Sequence, residues 1–364
     1  MKFPDLEYLT WAKALPHADI NLARSGIDRC PASLLRLKTS DLVATLPITY
    51  GYGPLRDAIA ARYGVTRANV FELSGGTSYA NWIAIVAALD GCGRGAEVIV
   101  ERPTYEPLLR IPQALGHRLR RFDRAFEDGY AIDLDRFATL VTSRTKLAIV
   151  TNLHNPSGAR IGMPTLRAMA SLLARVGAAL LVDEVYLECV FGSRPESCVH
   201  AGPNVITTNS LTKAYGLDGL RAGWILGPAP LIARAGRIND LMTNNSVAPG
   251  EQMTLAAFRR LRDLDRRAHG LLDPNLARLR AFFASEPRLA AFIPDGGNVV
   301  FPRPPRGIDS ERLATHLLKR YSTLVVPGRF FESPRHIRLS FGCSAPRLAR
   351  GLANVTRALD DLSH

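Results

Sequence analysis

Six short, apolar, β-rich runs recur along the chain: Val70 to Leu73, Glu97 to Val100, Leu147 to Thr151, Leu180 to Val185, Val205 to Thr208 and Trp224 to Leu226. Between them, Asn81 to Leu89, Met163 to Val176 and Leu231 to Met242 carry apolar residues at helical spacing. This alternation constrains the fold more than any other feature. Strands joined through helices return to the same end of the sheet, so they run mainly parallel, and a parallel sheet must be covered on both faces. Residues 45–270 are therefore predicted to form a large wound α/β domain. The 364 residues, 47% of them hydrophobic, exceed what one core usually holds undivided, so a second unit is expected. Beyond residue 270 the pattern changes. Leu271 to Ser285 reads as an amphipathic helix interrupted early by Pro274. Strand-like runs at Asn298 to Phe301, Thr323 to Val326 and His336 to Leu339 then alternate with helices at Glu311 to Tyr321 and Pro346 to Leu362. This is a smaller α+β domain, residues 271–364, onto which residues 1–44 are expected to dock.

Charge points away from the function it first suggests. The formal net charge is +13, but only six of the 46 basic residues are lysines and forty are arginines spread along the chain. No basic stripe or nucleic-acid reader motif accompanies them, so no nucleic-acid partner is expected. Five cysteines, at 30, 92, 189, 198 and 343, contain no Cys-x-x-Cys pair, which indicates neither a disulfide framework nor a zinc ribbon. No metal site is expected, and a reducing cytoplasm is the default location. The first twenty-two residues lack a continuous apolar stretch and no run of eighteen apolar residues occurs, so neither secretion nor a membrane partner is expected.

Lys213 lies in the run Ser210-Leu211-Thr212-Lys213-Ala214-Tyr215-Gly216-Leu217-Asp218-Gly219-Leu220-Arg221-Ala222-Gly223-Trp224. An amine placed after a β-rich, hydroxyl-rich segment and before a glycine-punctuated loop is well explained as a nucleophile that forms a Schiff base with a carbonyl. The obvious carbonyl is the aldehyde of pyridoxal 5′-phosphate. Ser-x-x-Lys also opens a serine acylase signature, but the Ser-Asp-Asn and Lys-Thr-Gly strings that should follow it are missing.

Other strings carry complementary chemistry. Ser74-Gly75-Gly76-Thr77-Ser78 follows a strand and opens a helix, where backbone N–H groups and hydroxyls favour a phosphate, although a plain glycine turn with a hydroxyl cap explains it equally well. Asp183 ends a buried apolar strand, a place where a carboxylate is either paired or part of a site. Asn152-Leu153-His154-Asn155-Pro156-Ser157-Gly158 is an Asn-Pro turn after a strand, with His154 a packing residue, and Glu101 to Pro107 follows another strand end.

Together with Arg335-His336-Ile337-Arg338-Leu339-Ser340-Phe341-Gly342, these six segments, taken in chain order from residue 74 to 342, resemble the class I/II aminotransferases, fold type I pyridoxal-phosphate enzymes. The resemblance implies that Gly76, Thr77, Ser78, Ser210 and Arg221 hold the cofactor phosphate, and that Asp183 faces the ring nitrogen N1. It further implies that Tyr186 and Asn155 bond the 3-oxygen and that Tyr105 stacks on the ring. Arg338 would clamp the substrate α-carboxylate, with Gly26 and Asn155 nearby, while Arg335 is a surface charge and Glu184 a structural neighbour. Lys213, Asp183 and Tyr186 are the catalytic set. The family also implies a homodimer. Its trans phosphate contact comes from a tyrosine where this chain has Leu46, so Tyr50 or Tyr52 is the substitute, neither having an obvious core role. Met242 stands where dicarboxylate-specific members place an arginine, which disfavours aspartate and glutamate as donors.

The reaction implied is transamination between an L-amino acid and a 2-oxo acid. The string around Lys213, with Thr212 ahead of the lysine, also resembles the branch that cyclises a hydroxylated arginine to capreomycidine, so a lyase or cyclase is the alternative. A transcription-regulator role would need a winged-helix module, and only about forty residues precede the matched region.

Overall fold

The computed structural model describes residues 3–38, 42, 51–190, 195–243, 245–294 and 296–363. A seven-stranded sheet crosses its centre in the spatial order Val70–Ser74, Ala222–Leu226, Val205–Asn209, Ala179–Asp183, Thr145–Thr151, Glu97–Arg102, Arg118–Asp123. The last five strands in that order are mutually parallel, whereas Ala222–Leu226 is antiparallel to both its neighbours. All six runs read from the sequence lie in this sheet, and the architecture is the wound, mainly parallel α/β fold they imply. The seventh strand, Arg118–Asp123, escapes such a reading because it is polar: only Phe122 among its six residues is buried. It forms an edge, where Arg118 is exposed, Arg120 and Arg121 are paired with Glu97 and Glu332, and the charged side chains discourage further pairing.

Both faces are dry. Val98 and Val100 pack under Ile83, Ala84 and Ala87 of the helix Gly76–Leu89, while the intervening Ile99 points the other way, toward Met169 and Leu173 of the helix Met163–Ala174. This is the period-two alternation of a strand covered on both sides.

Residues after the sheet build a second layer. Ile337–Ser340 pairs antiparallel with Val299–Val300 and with Val326–Pro327, and Ile20–Asn21 runs parallel to Thr323–Leu324, tying the N-terminal segment to the C-terminal one. The helix expected from residue 271 begins ten residues earlier, as Leu261–Ser285, and crosses the domain boundary drawn at 270. Pro274 does not interrupt it. Leu272, Leu276 and Leu279 bury the helix in the core, and that burial offsets the lost hydrogen bond and the ring clash that a proline costs inside a helix.

Candidate active site

The site forms where the parallel strands end, the usual place for a ligand in an open α/β sheet. Asp183 is the last residue of its strand and is buried. One carboxylate oxygen accepts from Asn81 Nδ2 at 2.7 Å and the other from the Val185 N–H at 3.0 Å. Asn81 is fixed in turn, its Oδ1 accepting from Thr208 Oγ1 at 2.5 Å. Burial raises the Asp183 carboxyl to about 6, against the pull of these donors and of Lys213. Lys213 stands on the short helix Thr212–Tyr215, and its Nζ donates to Ser25 Oγ at 2.8 Å. Burial first, then the positive charge of Arg338, brings the amine down to about 8, so far more of it is neutral near physiological pH than of an ordinary lysine, although the ammonium still predominates. Gly26 lies against it: a Cβ there would sit 3.4 Å from Lys213 Cα.

A phosphate cradle opens beside this floor. Gly76 starts its helix at φ +71°, and a Cβ on it would come within 3.2 Å of the Arg221 guanidinium; a Cβ on Gly223 would collide with the Gly76 backbone at 2.6 Å. Glycine is required at both positions, one for its left-handed backbone and the other for its lack of bulk. The first-turn amides of Thr77 and Ser78 have no carbonyl one turn back to bond, and the helix dipole points its positive end here. Ser210 Oγ accepts from Thr77 Oγ1 at 2.8 Å, which leaves its own proton to donate, and Arg221 donates to the Gly75 carbonyl.

The opposite wall is built by residues far apart in sequence. Arg338, wholly buried on the strand Ile337–Ser340, donates to Asn155 Oδ1 at 3.1 Å, to Tyr8 Oη at 2.9 Å and to the Ala23 carbonyl at 3.1 Å. Its Nε has no partner among the described residues. With Oδ1 of Asn155 taken by the arginine, its Nδ2 is the group left to donate into the cavity. Tyr8 is brought there by the helix Glu7–Lys13, whose N-terminal amides at Glu7 and Tyr8 both donate to the Glu106 carboxylate. Tyr105 meets Tyr8 edge-on at 6.1 Å, and Tyr186 bonds the Ser25 hydroxyl; burial pushes both phenols well above their ordinary range. A cavity of about 240 Å³ is lined by Thr77, Ser78, Tyr105, Asn155, Asp183, Tyr186, Lys213 and Arg338, so eight of the residues singled out in the sequence share one space.

An aromatic aldehyde with a ring nitrogen and a phosphate fits this donor set. The cradle of Gly76, Thr77, Ser78, Ser210 and Arg221 suits the dianion, Asp183 suits a ring N–H, and Lys213 is a reactive amine between them. A family model described as aminotransferase class I and II matches residues 22–355. The chain belongs to the class I and II aminotransferase family. It is a pyridoxal-phosphate-dependent enzyme of fold type I. Among relatives, it is 33% identical over 318 residues to capreomycidine synthase of Streptomyces vinaceus, covering 84% of this chain and 78% of that one. It is 29% identical over 281 residues to an arginine–pyruvate transaminase of Pseudomonas aeruginosa, covering 74% and 70%. The fold matches a PLP-dependent aminotransferase of Streptococcus suis with a TM-score of 0.91 at 24% identity, over 100% of this chain and 99% of the other.

Three expectations about this aminotransferase need revision or lie outside the described residues. Tyr52 has a packing role after all, since it sits against the large core cluster and its carbonyl accepts from Leu55 and Arg56 at the start of the helix Gly53–Tyr63. Leu46 and Tyr50 fall outside the described residues. Met242 lies beyond the end of its helix, 60% exposed, and lines neither cavity at the site. His154 is a packing residue, its ring bonded to Ser157 and the Pro103 carbonyl; Glu184 accepts from Ser197 and Cys198, and Arg335 is exposed. The sequence reading missed Ser25, Tyr8 and Asn81. Asn81 carried a signal, being one helical turn after Thr77 and Ser78 and so on the same face. Tyr8 carried none, because its partner is 330 residues away.

Proposed function

We propose that this enzyme moves the α-amino group of an L-amino acid to a 2-oxo acid, with Lys213 both bearing the cofactor and carrying the proton. One observation supports this most: Arg338 is a wholly buried cation whose hydrogen-bond partners are all neutral. A buried guanidinium is costly until a carboxylate meets it, and every amino acid and 2-oxo acid brings one. Pyridoxal 5′-phosphate, when bound, supplies the electron sink that makes the Cα proton removable. The protein does the rest. Arg338 fixes the α-carboxylate, which sets which Cα bond faces Lys213. Neutral Lys213 Nζ takes the Cα proton and later returns it. Asp183, ionised opposite a ring N–H, would keep that proton in place, Asn155 and Tyr186 would donate to the 3-oxygen, and Tyr105 would cover the ring and exclude water.

The donor proposed is neutral, aromatic or basic rather than dicarboxylic. One relative is named for its action on arginine. The test is an amino-acid panel with pyruvate or 2-oxoglutarate as acceptor. Paired formation of a new 2-oxo acid and a new amino acid is expected. A cyclised or deaminated product without either would overturn transamination. A homodimer in a reducing cytoplasm is part of the same proposal, supported by exposed apolar Leu241 and Val247 on one segment and by five cysteines that are all free. An active species of 39.8 kDa in sedimentation would overturn the dimer.

A further inference from the structure

A second cavity, of about 250 Å³, adjoins the first and shares Tyr8, Ala12, Ser25 and Lys213 with it. A donor whose carboxylate lies on Arg338 and whose nitrogen lies at Lys213 needs room for its side chain. The first cavity is bounded by the groups that face the cofactor, so the second is the space available. Ala12, Leu15 and Ile27 give it apolar walls suited to a methylene stem. Its charges besides the lysine are Arg24 and Asp218, paired at 3.5 Å with both side chains more than a third exposed.

This pair is not symmetric. Asp218 begins the tight turn Asp218–Leu220 between Lys213 and Arg221, so its short side chain is tied to the catalytic segment. Arg24 reaches the pair on a long flexible stem from the N-terminal segment and can leave for water. A distal carboxylate binding Arg24 would still face Asp218, a like charge. A guanidinium or ammonium group instead replaces Arg24 one for one, and no other carboxylate among the described residues lines this cavity. Asp183, the acid of the first cavity, is already committed at its floor. The pair is also within electrostatic reach of the reacting amine, since Asp218 raises and Arg24 lowers the basicity of Lys213.

We propose that Asp218 is the specificity residue for the amino donor, reading a cationic side chain that displaces Arg24. The proposal rests on the aminotransferase reading above and narrows it to basic amino acids. Arginine and citrulline test it, because they are nearly isosteric and differ by the charge. With the holoenzyme, arginine is expected to exceed citrulline in kcat/KM by about three- to fivefold, the worth of one solvent-screened ion pair. In Asp218→Asn that ratio is expected to fall to near one, and in Arg24→Ala to rise. An unchanged ratio in Asp218→Asn, or a wild-type preference for citrulline, norleucine or glutamate, overturns it. If no 2-oxo acid forms from any donor, transamination fails but the subsite is still decided, because each donor perturbs the cofactor absorbance on binding. Arginine saturating that change at lower concentration than citrulline in wild type, and not in Asp218→Asn, supports the subsite; equal titrations in wild type overturn it. Asp218 is half exposed, so the substitution leaves the fold intact, which circular dichroism verifies.

Discussion

Asp183 and Arg338 are buried charges lining one cavity, yet they are held in opposite ways. Asp183 receives an N–H on each oxygen, from Asn81 on the helix Gly76–Leu89 that covers the sheet and from Val185 in the turn two residues past the end of its own strand. Arg338 is gripped by neutral acceptors from three distant segments, and its Nε has no partner among the described residues. The floor is thus satisfied before any substrate arrives, while the wall holds one charge unmet. A preorganised floor favours the chemistry shared by all substrates, and an incompletely satisfied wall rewards the ligand that completes it.

The contrast breaks at once if the floor is not the seat of the chemistry. Lys213→Ala is expected to lower turnover roughly 10³-fold or more and to abolish borohydride fixation of the cofactor to the chain. Mass spectrometry that found the fixed adduct on another lysine would place the floor elsewhere. Asp183→Asn comes next, at about 10²-fold in kcat or roughly 3 kcal/mol, with the melting temperature little changed. It also has a pH signature. Burial raises the Asp183 carboxyl to about 6, so protons compete for it as pH falls through that value, and protonation removes the charge that faces the ring N–H. Cofactor affinity should therefore weaken below about pH 6 in the wild type, whereas Asp183→Asn should be flat across that range. An acid limb that persists in Asp183→Asn would assign it to another group.

The wall is probed by smaller changes. Arg338→Lys keeps the charge but loses the planar fork, and is expected to raise KM about 30-fold, near 2 kcal/mol, with kcat falling less. Tyr8→Phe removes one of the groups that aim the fork and should cost about 1 kcal/mol, five- to tenfold in kcat/KM. If Arg338→Lys depressed kcat and left KM alone, Arg338 would belong with the catalytic floor and the distinction would fail.

The two regions also differed in how far the sequence revealed them. Floor residues are announced locally: Asp183 ends an apolar strand, Lys213 follows another, and Gly75-Gly76-Thr77-Ser78 join a strand to a helix. The reason is physical, since a parallel sheet gathers its strand ends at one edge, and what lies just past each end must converge. The wall has no such rule. Arg338 was legible only through its neighbours in an Arg-His-Ile-Arg string, and Tyr8 and Ser25 were not legible at all, because they reach the site through the pairing of Ile20–Asn21 with Thr323–Leu324. The polar edge strand Arg118–Asp123 was missed for a related reason: a half-solvated strand lacks the apolar run that marks the buried ones.

Ser25 tests whether the wall takes part in the chemistry. Its hydroxyl accepts from Lys213 Nζ at 2.8 Å, and its carbonyl is pinned by Asn298 Nδ2 at 3.0 Å, so the contact is built rather than incidental. An ammonium donates more strongly than an amine, which means that this acceptor favours the charged form of Lys213. Removing it in Ser25→Ala should lower the amine further, from about 8 by roughly half to one pH unit, the equivalent of a net hydrogen bond of about 1 kcal/mol. The shift can be read in cofactor-free protein from the pH dependence of Lys213 acylation, independently of turnover. Turnover itself should fall only about three- to tenfold, because the amine remains but loses its orientation. Ser25→Thr, which retains the hydroxyl, should restore both the titration and the rate. A rate loss without movement of the Lys213 titration, or with movement upward, would make Ser25 a packing residue and return all the proton chemistry to the floor.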